Sequence, residues 1–185
     1  IPSNGYYDFP IGLGTTANDA ANTPGTDKYT PARVRVTNVT DDGYIIINPV
    51  EGILQTTNLG GGADILSYYW RVRFEGFSTL PTVRYQFTYN DGDIGGTEAN
   101  YVSGKVLDVS PFTRSHENNV NKVNDAKNIV GFYGTGSGFT GGGAGAGFTL
   151  EQANYTAGQT TRFNGAVRVL YTRALADGWN TDWNN

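Results

Sequence analysis

The sequence predicts an all-β domain, with two antiparallel sheets packed face to face and little or no helix. Three observations carry this. Apolar and polar residues alternate with a period of two along several segments, turn-forming residues separate those segments, and no stretch shows the period of an amphipathic helix. A strand points successive side chains to opposite faces, so alternation marks a strand with one face buried and the other in water.

The first clear strand is 32–37, with Ala32, Val34 and Val36 on one face and Arg33 and Arg35 on the other. Tyr44-Ile45-Ile46-Ile47 is apolar on both faces, as expected of a central or doubly covered strand. Along 66–74 the even positions, including Tyr68, Trp70 and Val72, are apolar, while Arg71 and Arg73 face the other way. Segment 83–89 repeats the pattern with Val83, Tyr85, Phe87 and Tyr89. Segments 101–109 and 128–133 are rich in β-branched and aromatic residues, and 163–171 alternates again. Asp41-Asp42-Gly43, Gly60-Gly61-Gly62 and Asn90-Asp91-Gly92-Asp93 supply turns between them. Residues 115–127 are rich in Asn and read as a loop, or at most one helical turn, with His116 solvent-exposed in it. Segment 134–147 holds eight glycines in fourteen residues and reads as a surface loop. About eight strands with frequent turns fit an Ig-like or jelly-roll-like sandwich better than a closed barrel.

The chain has 185 residues and a mass of 19.9 kDa, enough for one domain that folds without a staple. No linker divides it, so 1–175 reads as a single sandwich domain and 176–185 as the start of a linker to a following module. It has no Cys, which excludes disulfides, thiolate nucleophiles and Cys-based zinc sites. A single His excludes multi-His metal sites. A net charge of -4 argues against nucleic acid as a partner. No run approaches the ~18 apolar residues of a membrane span, so no membrane insertion is expected. With 26 Gly, 22 Thr and 18 Asn but only 16% charged residues, the composition suits a β-rich secreted or cell-surface protein. The chain opens at Ile1-Pro2 with no Met and no signal pattern, and is expected to be a piece of something longer.

The catalytic inventory is thin. His116 sits in a polar stretch, and no Gly-x-Ser-x-Gly elbow occurs for a nucleophile. Acidic residues fall in turns, where Asp commonly caps backbone N–H groups. No enzyme activity is expected. The one cofactor the sequence admits is a calcium ion on Asp91, Asp93 and Glu98, an oxygen-only set in one loop. Six arginines, Arg71 and Arg73 among them, lie on the polar side of expected strands. That arrangement would make one sheet face basic and offer it to an anionic polysaccharide or a neighbouring module. Trp70 is expected in the core. Trp179 and Trp183 lie outside the expected strands, as contacts to a next module or as a sugar-stacking platform.

Several motifs, taken in order, carry a family resemblance. Tyr7-Asp8-Phe9-Pro10-Ile11-Gly12 followed by Tyr29-Thr30-Pro31-Ala32 resembles the opening of β-sandwich modules in large surface proteins exported by the type IX secretion system. Tyr69-Trp70-Arg71-Val72 and the run from Phe87 through Asp91, Asp93 and Ile94 resemble the strands that follow. Phe163-Asn164-Gly165, Leu170-Tyr171-Thr172-Arg173 and Gly178-Trp179-Asn180 resemble the joint that opens a further module. The glycine-rich segment and 115–127 lie outside the resemblance. It implies a secreted, multi-domain, adhesin-like or filament-forming protein and brings no catalytic residues. The function expected is therefore that of a non-catalytic structural or adhesive module of a cell-surface protein. Its partners would be neighbouring modules, copies of itself or a polysaccharide. The alternative is a carbohydrate-binding module, stabilised by calcium.

Overall fold

The computed structural model describes residues 6–13, 28–54, 57, 64–109, 112–117, 123–134 and 147–164. In chain order the strands are β1 (Tyr6–Phe9), β2 (Gly12–Leu13), β3 (Lys28–Tyr29), β4 (Ala32–Thr37), β5 (Tyr44–Glu51), β6 (Tyr68–Glu75) and β7 (Thr82–Thr88). They continue with β8 (Val102–Leu107), β9 (Arg114–Glu117), β10 (Val123–Asn124), β11 (Ile129–Phe132), β12 (Phe148–Thr149) and β13 (Ala153–Gly158). No α-helix occurs among the described residues. One sheet runs β1-β4-β7-β11-β10, with β12 also on β7, and the other runs β5-β6-β13-β8-β9. β2 and β3 form a small third sheet, and every pairing is antiparallel. The chain is an all-β sandwich.

Alternation becomes packing at the sheet interface. β4 buries Ala32, Val34 and Val36, β6 buries Tyr68, Trp70 and Val72, and β7 buries Val83, Tyr85 and Phe87. The Trp70 and Phe87 rings, one from each sheet, stack with centroids 4.6 Å apart and planes 14° from parallel. Tyr155 of β13 meets Phe132 edge-on at 4.7 Å and Tyr85 at 5.1 Å. Offset and edge-on contacts of this kind add to the burial of the rings themselves. The Trp70 indole N–H donates to the Thr30 carbonyl at 3.0 Å, so its one polar group is satisfied in the core.

β13 is the middle strand of its sheet and is buried along its whole length. Its sequence, Ala-Asn-Tyr-Thr-Ala-Gly, is poor in strand formers and carries only a weak period-two signal. Small residues suit it because both faces are covered. Tyr155, Ala153 and Ala157 join the core, while Thr156 on the other face donates its hydroxyl to the Tyr68 carbonyl at 3.1 Å. Beside it on β8, a side chain at Gly104 would collide with the Phe163 ring.

The expected strands at 32–37, 66–74, 83–89, 101–109 and 128–133 match β4, β6, β7, β8 and β11 to within a few residues. Four expectations are corrected. Tyr44–Glu51 is an edge strand rather than a central one, with Tyr44 72% and Ile46 43% exposed. Its Pro49, which lacks an N–H, is compatible with an edge. The expected loop at 115–127 begins in β9 and holds β10 before closing on one 3-10 turn, Asp125–Lys127, the single turn admitted by the sequence, and His116 is half-buried in β9 opposite Gly104. At the start of the expected strand 163–171, Phe163 instead ends a short 3-10 turn, Thr160–Arg162; residues from 165 on lie outside the described residues. The arginines do not make one basic face. Arg33, Arg35 and Arg84 belong to one sheet, Arg71 and Arg73 to the other, and Arg168 lies outside the described residues.

Replacing Phe87 by Ala removes the ring that faces Trp70 and leaves a cavity between two rigid sheets. The expected cost is about 3–5 kcal/mol, with an unchanged dependence on denaturant, measured by urea unfolding.

Candidate functional site

The acidic loop that follows β7 folds into two consecutive 3-10 turns, Asp91–Asp93 and Glu98–Asn100. It gives each carboxylate a different partner. Asp93 is 4% exposed, and its Oδ1 lies 2.5 Å from the Lys28 ammonium of β3 and accepts the Ser67 hydroxyl at 2.9 Å. The Asp93 carbonyl also accepts the Ser67 N–H at 3.0 Å. The Lys28 ammonium sits 5.7 Å from the centre of the Tyr68 ring and 3.7 Å from Glu51. Glu98 accepts the Tyr89 hydroxyl at 2.5 Å, and Asp91 accepts the Asn128 side-chain amide. Asp64 accepts the Thr97 N–H at 3.2 Å. Gly96 has a positive φ of 76°, and a side chain there would run into the Asp64 carboxylate.

The three expected calcium ligands thus share one loop but point to separate partners. Among the described residues, no group of three or more His, Asp or Glu side chains is placed to hold a metal ion. A cation approaching Asp93 would have to displace the Lys28 ammonium.

On the outer face of β6, Arg73 pairs with Asp108 and donates to the Val72 carbonyl at 2.8 Å. Arg71 donates to the Tyr69 hydroxyl at 3.1 Å and lies over that ring at 5.8 Å. Burial, with Arg71 next to it, lowers the pKa of Arg73 from its usual value. Trp179 and Trp183, and the core of the glycine-rich segment, lie outside the described residues.

The structure also forms a cleft that the sequence reading did not single out. Cross-strand register sets Asp8 of β1 opposite Arg33 of β4, and Arg33 opposite Gln86 of β7. Arg33 grips Asp8 with two parallel bonds, Nε to Oδ1 at 2.5 Å and Nη2 to Oδ2 at 3.1 Å. The guanidinium beside it holds the Asp8 carboxyl below the usual carboxylate range, and the same contact raises the pKa of Arg33. These side chains, with Phe9, Pro10, Tyr29 and Pro31, line a cleft of about 440 Å³. Tyr29 is 62% exposed. No local signal announced this group, because β1 and β4 pair across an intervening stretch that includes the small β2–β3 sheet. A smaller apolar groove of about 390 Å³, lined by Tyr7, Phe9, Val34, Val36, Tyr44 and Ile45, lies between β1, β4 and β5.

No family model, curated protein or solved structure matches the chain. No helix among the described residues is long and apolar enough to cross a membrane.

Two predictions follow from the loop and the tyrosines. Asp93→Ala leaves the Lys28 ammonium and the Ser67 hydroxyl without their shared acceptor. It is expected to cost about 3 kcal/mol in urea unfolding, while adding calcium or EDTA leaves the melting temperature of the parent chain unchanged. A rise of several degrees in calcium would support the metal reading. The second prediction concerns alkaline pH. Burial pushes the Tyr101 phenol up to about 12, and Tyr85, Tyr89 and Tyr155 move the same way for the same first cause. A folded-state pKa above the unfolded one favours the protonated form. This contribution is therefore complete below about pH 10, and that of Tyr101 is lost as pH rises through about 12. As the pH is raised, this contribution should fall only above about 10, with the tyrosinate absorbance of the buried phenols appearing together with unfolding.

Proposed function

We propose that this chain is a non-catalytic structural and adhesive module of a secreted, multi-domain cell-surface protein. It acts in surface attachment or as a spacer within a filament. The observation that carries this reading is where the acidic side chains go. Asp93 is tied to Lys28, Glu98 to Tyr89, Asp91 to Asn128, Asp108 to Arg73, Glu151 to Lys105 and Asp41 to Ser78. Each tie joins parts of the chain that are separated in sequence, so groups that could do acid–base chemistry instead hold loops and strands to one another.

Contact with partners falls to the exposed rings and aliphatic groups. Tyr44 lines the apolar groove beside β5, Ile46 is exposed on the same strand, and Tyr29 stands at the larger cleft. The Gly-, Thr- and Asn-rich composition supports a place outside the cell, and the ordered motifs support export by the type IX route. Neighbouring modules, copies of the chain and polysaccharides are the partners this reading admits.

The test is to display the chain on a non-adherent bacterium and measure attachment to polysaccharide-coated and bare surfaces. A panel of glycoside, ester and peptide substrates is run in parallel. Attachment above the undisplayed control, unchanged by Glu98→Gln and without turnover of any substrate, is expected. Turnover that Glu98→Gln or Asp91→Asn abolishes would overturn the proposal.

A further inference from the structure

We propose that the cleft bounded by Tyr29, Pro10, Pro31 and the Asp8–Arg33–Gln86 row is a subsite for an uncharged glycan. This names the partner for the adhesive reading above and rests on it. A volume of about 440 Å³ lies within the range of small-molecule sites, which combine apolar walls with a few placed polar groups.

The polar groups match a sugar. In the Asp8–Arg33 pair, acceptor oxygens and donor N–H groups lie side by side, held by two parallel bonds, and both side chains remain half or more exposed. Neighbouring hydroxyls on a pyranose ring each donate and accept, so two of them can address a carboxylate and a guanidinium at once. Gln86, next to Arg33 across the strand pair, adds an amide with one donor and one acceptor end.

The apolar wall matches as well. Tyr29 keeps most of its ring in water, although its backbone is fixed by pairing with Gly12 and by the Thr30 N–H to the Ile11 carbonyl at 3.0 Å. A rigidly mounted exposed ring can stack on the C–H face of a sugar at little entropic cost. Pro10 and Pro31 fix the backbone on either side of the wall.

Charge decides which glycan. The Asp8–Arg33 pair sums to zero, and the free edge of Asp8 would repel a uronate or sulfate. Of the arginines expected to serve an anionic polysaccharide, Arg33 lines this cleft and is neutralised by Asp8, whereas Arg73 is paired with Asp108 and Arg71 is bonded to Tyr69, both on the other sheet. A proline-rich peptide would need several exposed aromatic ridges, and Tyr29 is the one largely exposed ring lining the cleft among the described residues.

The experiment is calorimetric titration of the folded chain with cello-, manno-, malto- and chito-oligosaccharides, with an oligogalacturonate and an oligoproline alongside. At least one neutral oligosaccharide is expected to bind. Tyr29→Ala should weaken it about tenfold or more, and Tyr29→Phe should retain it. Arg33→Met, checked for folding by urea denaturation, should also weaken it. Binding confined to the galacturonate or to the oligoproline would overturn the proposal, as would neutral binding that Tyr29→Ala leaves intact. If no neutral sugar binds while the displayed chain still attaches to surfaces, this inference falls and the adhesive reading stands. If the sugar binds but the displayed chain does not attach, the subsite stands and the adhesive reading falls.

Discussion

The stacking of Trp70 from one sheet on Phe87 from the other is the contact on which the rest of the structure depends. Side chains along a strand alternate strictly, so placing Trp70 inward also fixes Tyr68 and Val72 inward and turns Arg71 and Arg73 outward. A slip of one residue in β6 would bring two guanidiniums into the core, which is why the register is so firmly specified. The same logic in β7 sets Tyr85 and Phe87 against Tyr155 and leaves Gln86 on the surface beside Arg33. The cleft is thus a consequence of the core. Its polar row exists because the neighbouring positions in β1, β4 and β7 are committed to the interior.

Once the sheets are fixed, the polar residues divide into two kinds. Among the described residues, several acidic groups act as ties. Asp93, buried with Lys28 and Ser67, joins the small β2–β3 sheet, the start of β6 and the loop after β7. Such a pair gains little net stability over an apolar contact but makes the wrong arrangement costly, because either partner alone would be left charged and desolvated. Asp8 differs. Its bond to Arg33 is made at the surface, and solvent screens it strongly. A pair of that kind adds little to folding and keeps its outer edges free for a ligand.

Much of the fold could be read from the sequence. Strands whose two faces differ sharply, such as β4, β6 and β7, announce themselves by alternation. β13 does not, because a strand covered on both faces has no polar side, and its Ala, Thr and Gly are small enough to look like a loop. The edge position of β5 is hidden in the sequence for the converse reason. Ile45 and Ile47 face the interior while Tyr44 and Ile46 meet water, so exposed apolar residues imitated a second buried face. The acidic loop was visible as a cluster, but its meaning was not. Lys28, the partner that neutralises Asp93, lies far away in the chain, so composition alone suggested a metal. Asp8, Tyr29, Arg33 and Gln86 meet through pairing between distant strands, and that proximity has no local signature.

The claim that the two sheets are locked by one aromatic layer, with β13 at the centre of its sheet, can be tested most directly by native-state hydrogen exchange resolved by residue. The account predicts that amides of β6, β7 and β13 exchange only through global unfolding. Those along β10 and the outer edge of β5 should open locally and faster. Rapid, locally opened exchange across β13, with β6 and β7 still protected, would contradict it.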